Sequence, residues 1–408
     1  MTTMRDGEKT AVQAQMVWLP RRRNGLWVLH VTGPTEPRAW AALTGDAPAE
    51  CVGVVLELSG ARWPETGLPD RWPGAAAGPE REVYLTGIPP RAARSLRRET
   101  GTGSVRTAPT LAEVIARFAR AAPATTPAPP VDAVAPPPYE LRDLRRQLHS
   151  RVVIAQAQGI LQGRYAIGDG HRALRLLKEV AQSRNLRLRH LAASLVAARV
   201  PVASAESWFP GRARRLPPRA TFLSARRAAT ANRSEALSAL LDRALATVGA
   251  GMGVIRLADP LSGATRPEAH RSPDDSFLSA WELADDTAPA HRVHGRAVPV
   301  TALDVTGDPL HAPAVRAALL ASGARTRHSV PLTAPDGRVL GELSVHHGAP
   351  GVILSSDALR ELVALGREAG AWLEWHHRTV VLDALEELHT RARDFEAEDG
   401  PGEAGAGR

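Results

Sequence analysis

The side chains suited to covalent chemistry are sparse in this chain. The one cysteine, Cys51, lies inside the apolar run CVGVVLEL. A lone thiol can form neither an intramolecular disulfide nor a Cys-based zinc cluster, and its surroundings suit a small core residue. The histidines do not repeat at ligand spacing. His291 and His294 are separated by two residues in a stretch with loop character, and His346–His347 and His376–His377 are sequence neighbours, which diverge on a strand or helix. They are therefore read as non-ligands. Ser262 in DPLSGA lies between Leu and Gly, but no strand-to-helix elbow surrounds it. The phosphate-cradling, zincin and nucleophile-elbow motifs are missing from the sequence, as is a histidine-kinase core. The expectation is a chain with no catalytic residue and no metal site, hence no enzyme. Two kinds of group remain: a hydroxyl, Thr66, in the turn Pro64-Glu65-Thr66-Gly67-Leu68, and a set of arginines.

The arginines are informative through their placement. Lysine occurs only at positions 9 and 178, and the abundance of Ala, Pro, Gly and Arg looks like the signature of GC-rich coding. Their distribution is nevertheless uneven. Residues 141–200 carry 12 Arg plus Lys against 3 Asp plus Glu, a net of +9, while the whole chain carries +8. A basic patch on a compact element is an electrostatic footprint for nucleic acid, or else a solvated face. Within it, SRVVIAQAQGILQGRYAI places Ala155, Ala157 and Gly159 where a core helix carries bulk, with Arg146, Arg151, Arg164 and Arg172 around them. Gly inside a helix costs about 1 kcal/mol against Ala, so Gly159 suggests a steric need. Close approach of RNA and close helix–helix packing both satisfy it.

Three helices must position these groups. The first spans about 141–165, with an apolar stripe at Leu144, Leu148, Val152 and Ala155, widened by Val153, Ala157, Ile160 and Leu161. The second spans about 171–184, with Ala173, Leu177, Val180 and Ala181 on one face. The third has Leu188, Leu191, Ala192, Leu195 and Val196 at i, i+3, i+4, i+7, i+8, with Ser183 or Asn185 as its cap. In residues and spacing this segment resembles the ANTAR domain, through Arg151, Ile154, Ala157, Gly159, Leu161, Ala173, Leu177, Ala181, Asn185, Leu188 and Ala192. The resemblance implies a three-helix bundle that binds RNA hairpin loops, with paired domains of a homodimer engaging adjacent hairpins in transcription antitermination. The implied RNA contacts are Arg151, Gln158, Gly159, Arg164, Arg184, Asn185, Arg187 and Arg189. Gln158 and Gln162 stand where the family often has Lys and Met, which removes one charged contact.

The bundle is flanked by proline-rich seams. Pro123–Glu140 holds seven prolines, and Trp208–Phe222 mixes prolines with arginines. Before the first seam, strand and helix patterns alternate: GLWVLHVTG, CVGVVLELSG and REVYLTG as strands, EPRAWAALTG, PPRAARSLRRETG and TLAEVIARFARAA as helices, the last with a Thr110–Glu113 capping box. VVLELSGARWPETGL and REVYLTGIPPRAARSLRRETG resemble the STAS domain, an α/β partner-binding fold. In that family a hydroxyl after the buried strand is phosphorylated by an anti-sigma kinase. Here the turn is one residue short. Thr66 stands in as acceptor, or Glu65 mimics a fixed charge, or the switch is lost and a docking surface remains. After the second seam, GVIRLADPLSGA and HSVPLTAPDGRVLGELSVH resemble a GAF domain, a sensor fold. Neither a bilin cysteine nor a cyclic-nucleotide signature is present, so the resemblance implies a small ligand of unidentified kind, with no cofactor.

The expected organisation is multidomain: an α/β STAS-like domain at 15–122, a Pro-rich linker at 123–139, an all-α three-helix ANTAR bundle at 140–200, a basic linker at 201–227, an α/β GAF-like domain at 228–379, and a helical extension with a disordered tail at 380–408. Leu359, Leu362, Leu365, Leu373, Leu382, Leu385 and Leu388 suggest a coiled-coil-like seam between two copies. The N-terminus lacks the apolar core of a signal peptide and no run of about 18 apolar residues occurs, so a cytoplasmic location is expected. The leading function is an RNA-binding antitermination regulator. The alternatives are a protein-interaction module in anti-sigma signalling without RNA binding, and a ligand-responsive adaptor.

Overall fold

In the computed structural model the described residues are 11–19, 25–34, 47–48, 51–62, 82–89, 105–120, 139–201, 206–259, 261, 265–273, 277–278, 281, 297–308 and 311–398. Thr66, His291, His294, the proline-rich stretch 121–138, the expected helices around residues 36–45 and 90–101, and the tail from 399 lie outside them.

The N-terminal part is built on β1 (Ala11–Trp18), β2 (Gly25–Pro34), β3 (Cys51–Arg62), β4 (Glu82–Thr86), β5 (Val105–Thr107) and α1 (Leu111–Arg120). β1 pairs antiparallel with β2, and β2, β3, β4 and β5 run parallel. Parallel strands bury both faces, which is why β3 reads as a continuous apolar run. Leu29, Leu56, Leu58 and Leu85 fill one side, and Val28, Val55 and Tyr84 meet Val114 and Phe118 of α1 on the other. Thr110 Oγ1 accepts the Glu113 amide at 3.2 Å, which starts α1.

The C-terminal part contains α5 (Ala225–Thr230), α6 (Arg233–Val248), β6 (Met252–Ala258), β7 (Thr265–Arg271), β8 (Val300–Ala302), α7 (Pro313–Ala321), β9 (Thr326–Thr333), β10 (Val339–His347) and α8 (Ser356–His376). Strands β8, β9, β10, β6 and β7 form an antiparallel run in that order. α6 and α8 cover one face through Leu240, Leu241, Leu362 and Trp372 against Ile255, Val330, Leu343 and Val345. Gly370 allows α8 to lie directly on β9, since a Cβ there would collide with the Thr333 carbonyl.

The two parts share one sheet. β1 pairs parallel with β8, from Met16↔Val300 to Trp18↔Ala302, giving the order β5-β4-β3-β2-β1-β8-β9-β10-β6-β7. Buried polar groups cross this seam. Gln15 Nε2 donates to Thr301 Oγ1 at 2.7 Å, His30 Nε2 lies 2.9 Å from Gln15 Oε1, and Ser356 Oγ donates to Glu57 at 2.9 Å. Burial raises the Glu57 pKa, but hydrogen bonds from His30, Ser59 and Ser356 outweigh it and hold the carboxyl at about 2.

α8 does not end at the C-terminal sheet. It passes through a π-helical turn (His377–Val381) into α9 (Leu382–Glu398). Leu359, Leu362, Leu365 and Leu373 lie in the core under the C-terminal sheet, whereas Leu385 and Leu388 lie in the core of the helical bundle, with Leu382 packed against it. The leucines read as a seam between two copies are thus buried within one chain. Among the described residues no helix is long and apolar enough to cross a membrane, and no group of three His, Cys, Asp or Glu is placed to hold a metal ion.

Candidate nucleic-acid interface

The basic segment folds as α2 (Tyr139–Tyr165), α3 (Gly170–Ser183) and α4 (Leu188–Ala197). Ala157, Leu161 and Tyr165 repeat at i, i+4, i+8 and face Leu177, Val180, Leu191 and Leu195. Asp169 caps α3 by accepting the His171 amide at 2.8 Å. Neither Ser183 nor Asn185 caps α4. Its N-cap is Arg187, with no side-chain hydrogen bond, and Asn185 instead turns the chain at φ 51°. That left-handed conformation suits Asn.

The expected apolar stripe of α2 is corrected at two positions. Val152 is 55% exposed and Ala155 is exposed, because the face that meets α3 and α4 is the one carrying Ala157 and Leu161. Ala157 is fully buried, so its small size serves helix packing and not an incoming surface. Gly159 behaves in the opposite way. It is exposed, and a Cβ built on it meets no atom of the described residues within 4 Å. Helix–helix packing therefore does not explain this glycine. With Arg151, Val152, Ala155, Gln156 and Gly163 it forms an outward face of α2.

The eight sequence-derived contacts fall into two groups. Arg151, Gly159 and Arg187 are exposed. The others are engaged within the chain to differing degrees. Gln158 donates to the Gly170 carbonyl at 3.1 Å, holding the α2–α3 turn. Arg164 stacks over the Trp208 ring at 5.0 Å. Arg184 Nε donates to Glu387 at 2.7 Å, with Asp383 at 3.8 Å. Arg189 lies 3.6 Å from Asp259 at the end of β6. Asn185 is exposed, 3.4 Å from the Asn232 side-chain amide.

The residues that engage them escaped sequence reasoning. Trp208, in the segment read as a linker, is buried against the bundle, and its Nε1 donates to the Arg199 carbonyl at 2.8 Å. α9 completes a fourth side of the bundle with Ala384, Leu385, Leu388 and Ala392. Asp383, Glu386 and Glu387 lie on the edge of that stripe. Their i, i+3, i+4 spacing in LDALEEL was the available signal. A second contact joins the bundle to α8: the His190 and His376 rings stack 6.1 Å apart at 11°. Burial, then the Arg233 charge, pushes both imidazoles down, His376 to about 3.

The C-terminal sheet has a polar inner face of its own. Arg256 pairs with Glu342 at 3.4 Å and Arg327 with Asp308 at 2.7 Å, all buried. His311 and His346 pack edge-on against Trp281, and their ring nitrogens have no hydrogen-bond partner among the described residues. Burial lowers both imidazoles, so they are neutral near pH 7.

Residues 142–196 match the family model of the ANTAR domain. No curated protein matches the chain. Among solved structures the chain is similar to the GAF domain of the cyanobacteriochrome TePixJ, at 13% identity over 36% of this chain and 91% of that one, with a TM-score of 0.32. It is also similar to a GAF domain/HD domain protein from Geobacter sulfurreducens, at 16% identity over 35% and 91%, with a TM-score of 0.30. A third is the GAF domain from an Acinetobacter phosphoenolpyruvate-protein phosphotransferase, at 15% identity over 35% and 83%, with a TM-score of 0.28.

Proposed function

We propose that the chain is an RNA-binding regulator of transcription antitermination, with the α2–α4 bundle as its RNA-binding element. The observation that carries this reading is the ANTAR match over 142–196, on helices that present Arg151, Gly159 and Arg187 outward. Guanidinium groups supply the phosphate contacts, and an outward face without bulk lets unstacked loop bases lie close to the helix. The C-terminal part acts as a ligand sensor of GAF type, which its antiparallel sheet and neutral buried histidines support. The N-terminal part acts as a STAS-like partner-binding domain, which its parallel β2–β5 ladder supports, either as a docking surface whose switch is lost or, with Thr66 as the acceptor, as the substrate of an anti-sigma kinase. The protein works in the cytoplasm as a homodimer and catalyses no reaction. A gel shift of the full chain with RNA carrying two adjacent hairpins tests the reading. A complex with the paired hairpins, weaker with a single hairpin, is expected, and no complex at low salt would refute it.

A second reading is favoured by one observation: Arg164, Arg184 and Arg189 are engaged inside the chain. In it the bundle no longer binds RNA, and the protein serves anti-sigma signalling through its N-terminal domain. The same gel shift separates the two.

A further inference from the structure

We propose that α9 is a built-in competitor for RNA: its carboxylates hold Arg184 of the bundle, together with Arg212 and Arg214 beside it, where RNA phosphates would otherwise engage them. The inference rests on the RNA reading above. α9 presents two adjacent strips to the bundle. The apolar strip of Ala384, Leu385, Leu388 and Ala392 fixes the helix in place. The acidic strip of Asp383, Glu386 and Glu387 lies beside it and is fully used. Glu387 accepts from Arg184 Nε at 2.7 Å and from Ser183 Oγ at 3.2 Å. Asp383 gathers three guanidinium groups: Arg212, Arg214 at 3.3 Å and Arg184 at 3.8 Å. Glu386 accepts the backbone amides of Trp208 and Phe209 at 2.9 and 3.0 Å, which seats Trp208 beneath Arg164.

Carboxylate and phosphate oxygens compete for the same guanidinium fork. The Arg184 side chain is 35% exposed and that of Glu387 22%. A pair in that setting is weak enough for an incoming phosphate to displace, so the mask is reversible. Its control lies in the rod that carries it. α9 continues α8 through the π turn, and α8 buries Leu362, Leu365 and Trp372 in the sensor core. A shift of α8 that moves α9 changes which anion Arg184 meets. By linkage, RNA that displaces α9 must in turn alter the sensor.

The test measures RNA binding by fluorescence anisotropy on the full chain, with a labelled two-hairpin RNA over a salt series. The variants are Glu387→Gln, the pair Asp383→Asn with Glu387→Gln, and Asp394→Asn, which makes the same single charge change as Glu387→Gln at an exposed position of α9. The double variant should bind roughly fivefold or more tightly. Its log–log salt slope should steepen by about 0.7 for each guanidinium released to a phosphate. Glu387→Gln alone should show a smaller gain, and it decides the matter if the double variant melts early. Asp394→Asn should change affinity far less. Equal affinity in wild type and masked-site variants, or an equal gain from Asp394→Asn, overturns the inference and leaves the RNA reading standing. Failure of every protein to bind overturns both.

Discussion

Replacing Gly159 with Leu separates the role of the α2 surface from the stability of the bundle. In the structure this glycine is exposed and, among the described residues, a Cβ there has no neighbour within 4 Å. The overpacking cost of about 1–3 kcal/mol that a larger side chain incurs in a core does not arise. What remains is helix propensity, which favours Leu or Ala over Gly by roughly 0.8–1 kcal/mol. For a cooperative unit of about 150–250 residues, that gain raises the melting temperature by about 2–4 °C. On the RNA reading proposed above, affinity should move the other way, because the added isobutyl group stands on the outward face of α2 that carries Arg151. A loss of tenfold or more, about 1.4 kcal/mol, is expected. Gly159→Ala should show the same stabilisation with a smaller loss of affinity. Calorimetry and anisotropy on the same full-chain samples give both numbers. A lower melting temperature would mean that Gly159 is packed after all. Unchanged affinity in the Leu variant would remove this face of α2 from the RNA interface.

Other perturbations test the framework around that surface. Leu388→Ala should destabilise the bundle by about 2–5 kcal/mol, because Leu388 is fully buried between α9 and α2–α4; a surface-like change below 0.5 kcal/mol in urea unfolding would show that α9 is not part of the bundle. Gly370→Ala should cost roughly 1–3 kcal/mol by driving α8 off the Thr333 carbonyl, and an unchanged melting curve would contradict that packing. Acid should weaken the fold. His376, His328 and His311 are held at about 3, 3 and 4, below the unfolded value, so their contribution is full above pH 6.5 and falls with pH toward 3–4. At pH 5 each forfeits on the order of 2 kcal/mol, and a stability profile flat from pH 7.5 to 5 would refute the assignment. Glu57→Gln should flatten a second, lower window, between the ordinary carboxyl value and about 2, because the native pKa is depressed and its stabilisation is lost as pH falls through that range.

The sequence made the bundle readable because its core obeys one period. Ala173, Leu177, Val180 and Ala181 on α3, and Leu191, Ala192 and Leu195 on α4, are buried as their spacing requires. The β9–β10 hairpin falls in HSVPLTAPDGRVLGELSVH, the stretch that carried the GAF resemblance, and Gly337 in its turn takes φ 86°. α2 was harder, because its outward face also carries Val152 and Ala155, and apolar type alone cannot tell an exposed valine from a buried one. β1 was missed. Its Val12-Gln13-Ala14-Gln15-Met16 alternates as a strand does, but the segment is short and its pairing with β2 along its length and with β8 at its end, nearly 300 residues away, lies outside its own sequence. The leucines of α8 and α9 were visible, but they divide between two cores of the same chain, and periodicity does not identify the surface that a stripe meets. For the same reason the engaged state of Arg164, Arg184 and Arg189 was not legible. Each is held by a residue from a distant segment, and charge counting cannot separate a paired guanidinium from a free one.

The most direct measurement of the central claim is the salt dependence of RNA binding by the full chain and by Arg151→Ala and Arg187→Ala, whose side chains are exposed. If the bundle binds RNA through these groups, each substitution weakens binding to all two-hairpin RNAs and lowers the log–log slope by about 0.7 per lost phosphate contact. Slopes identical to wild type in both variants would contradict the account.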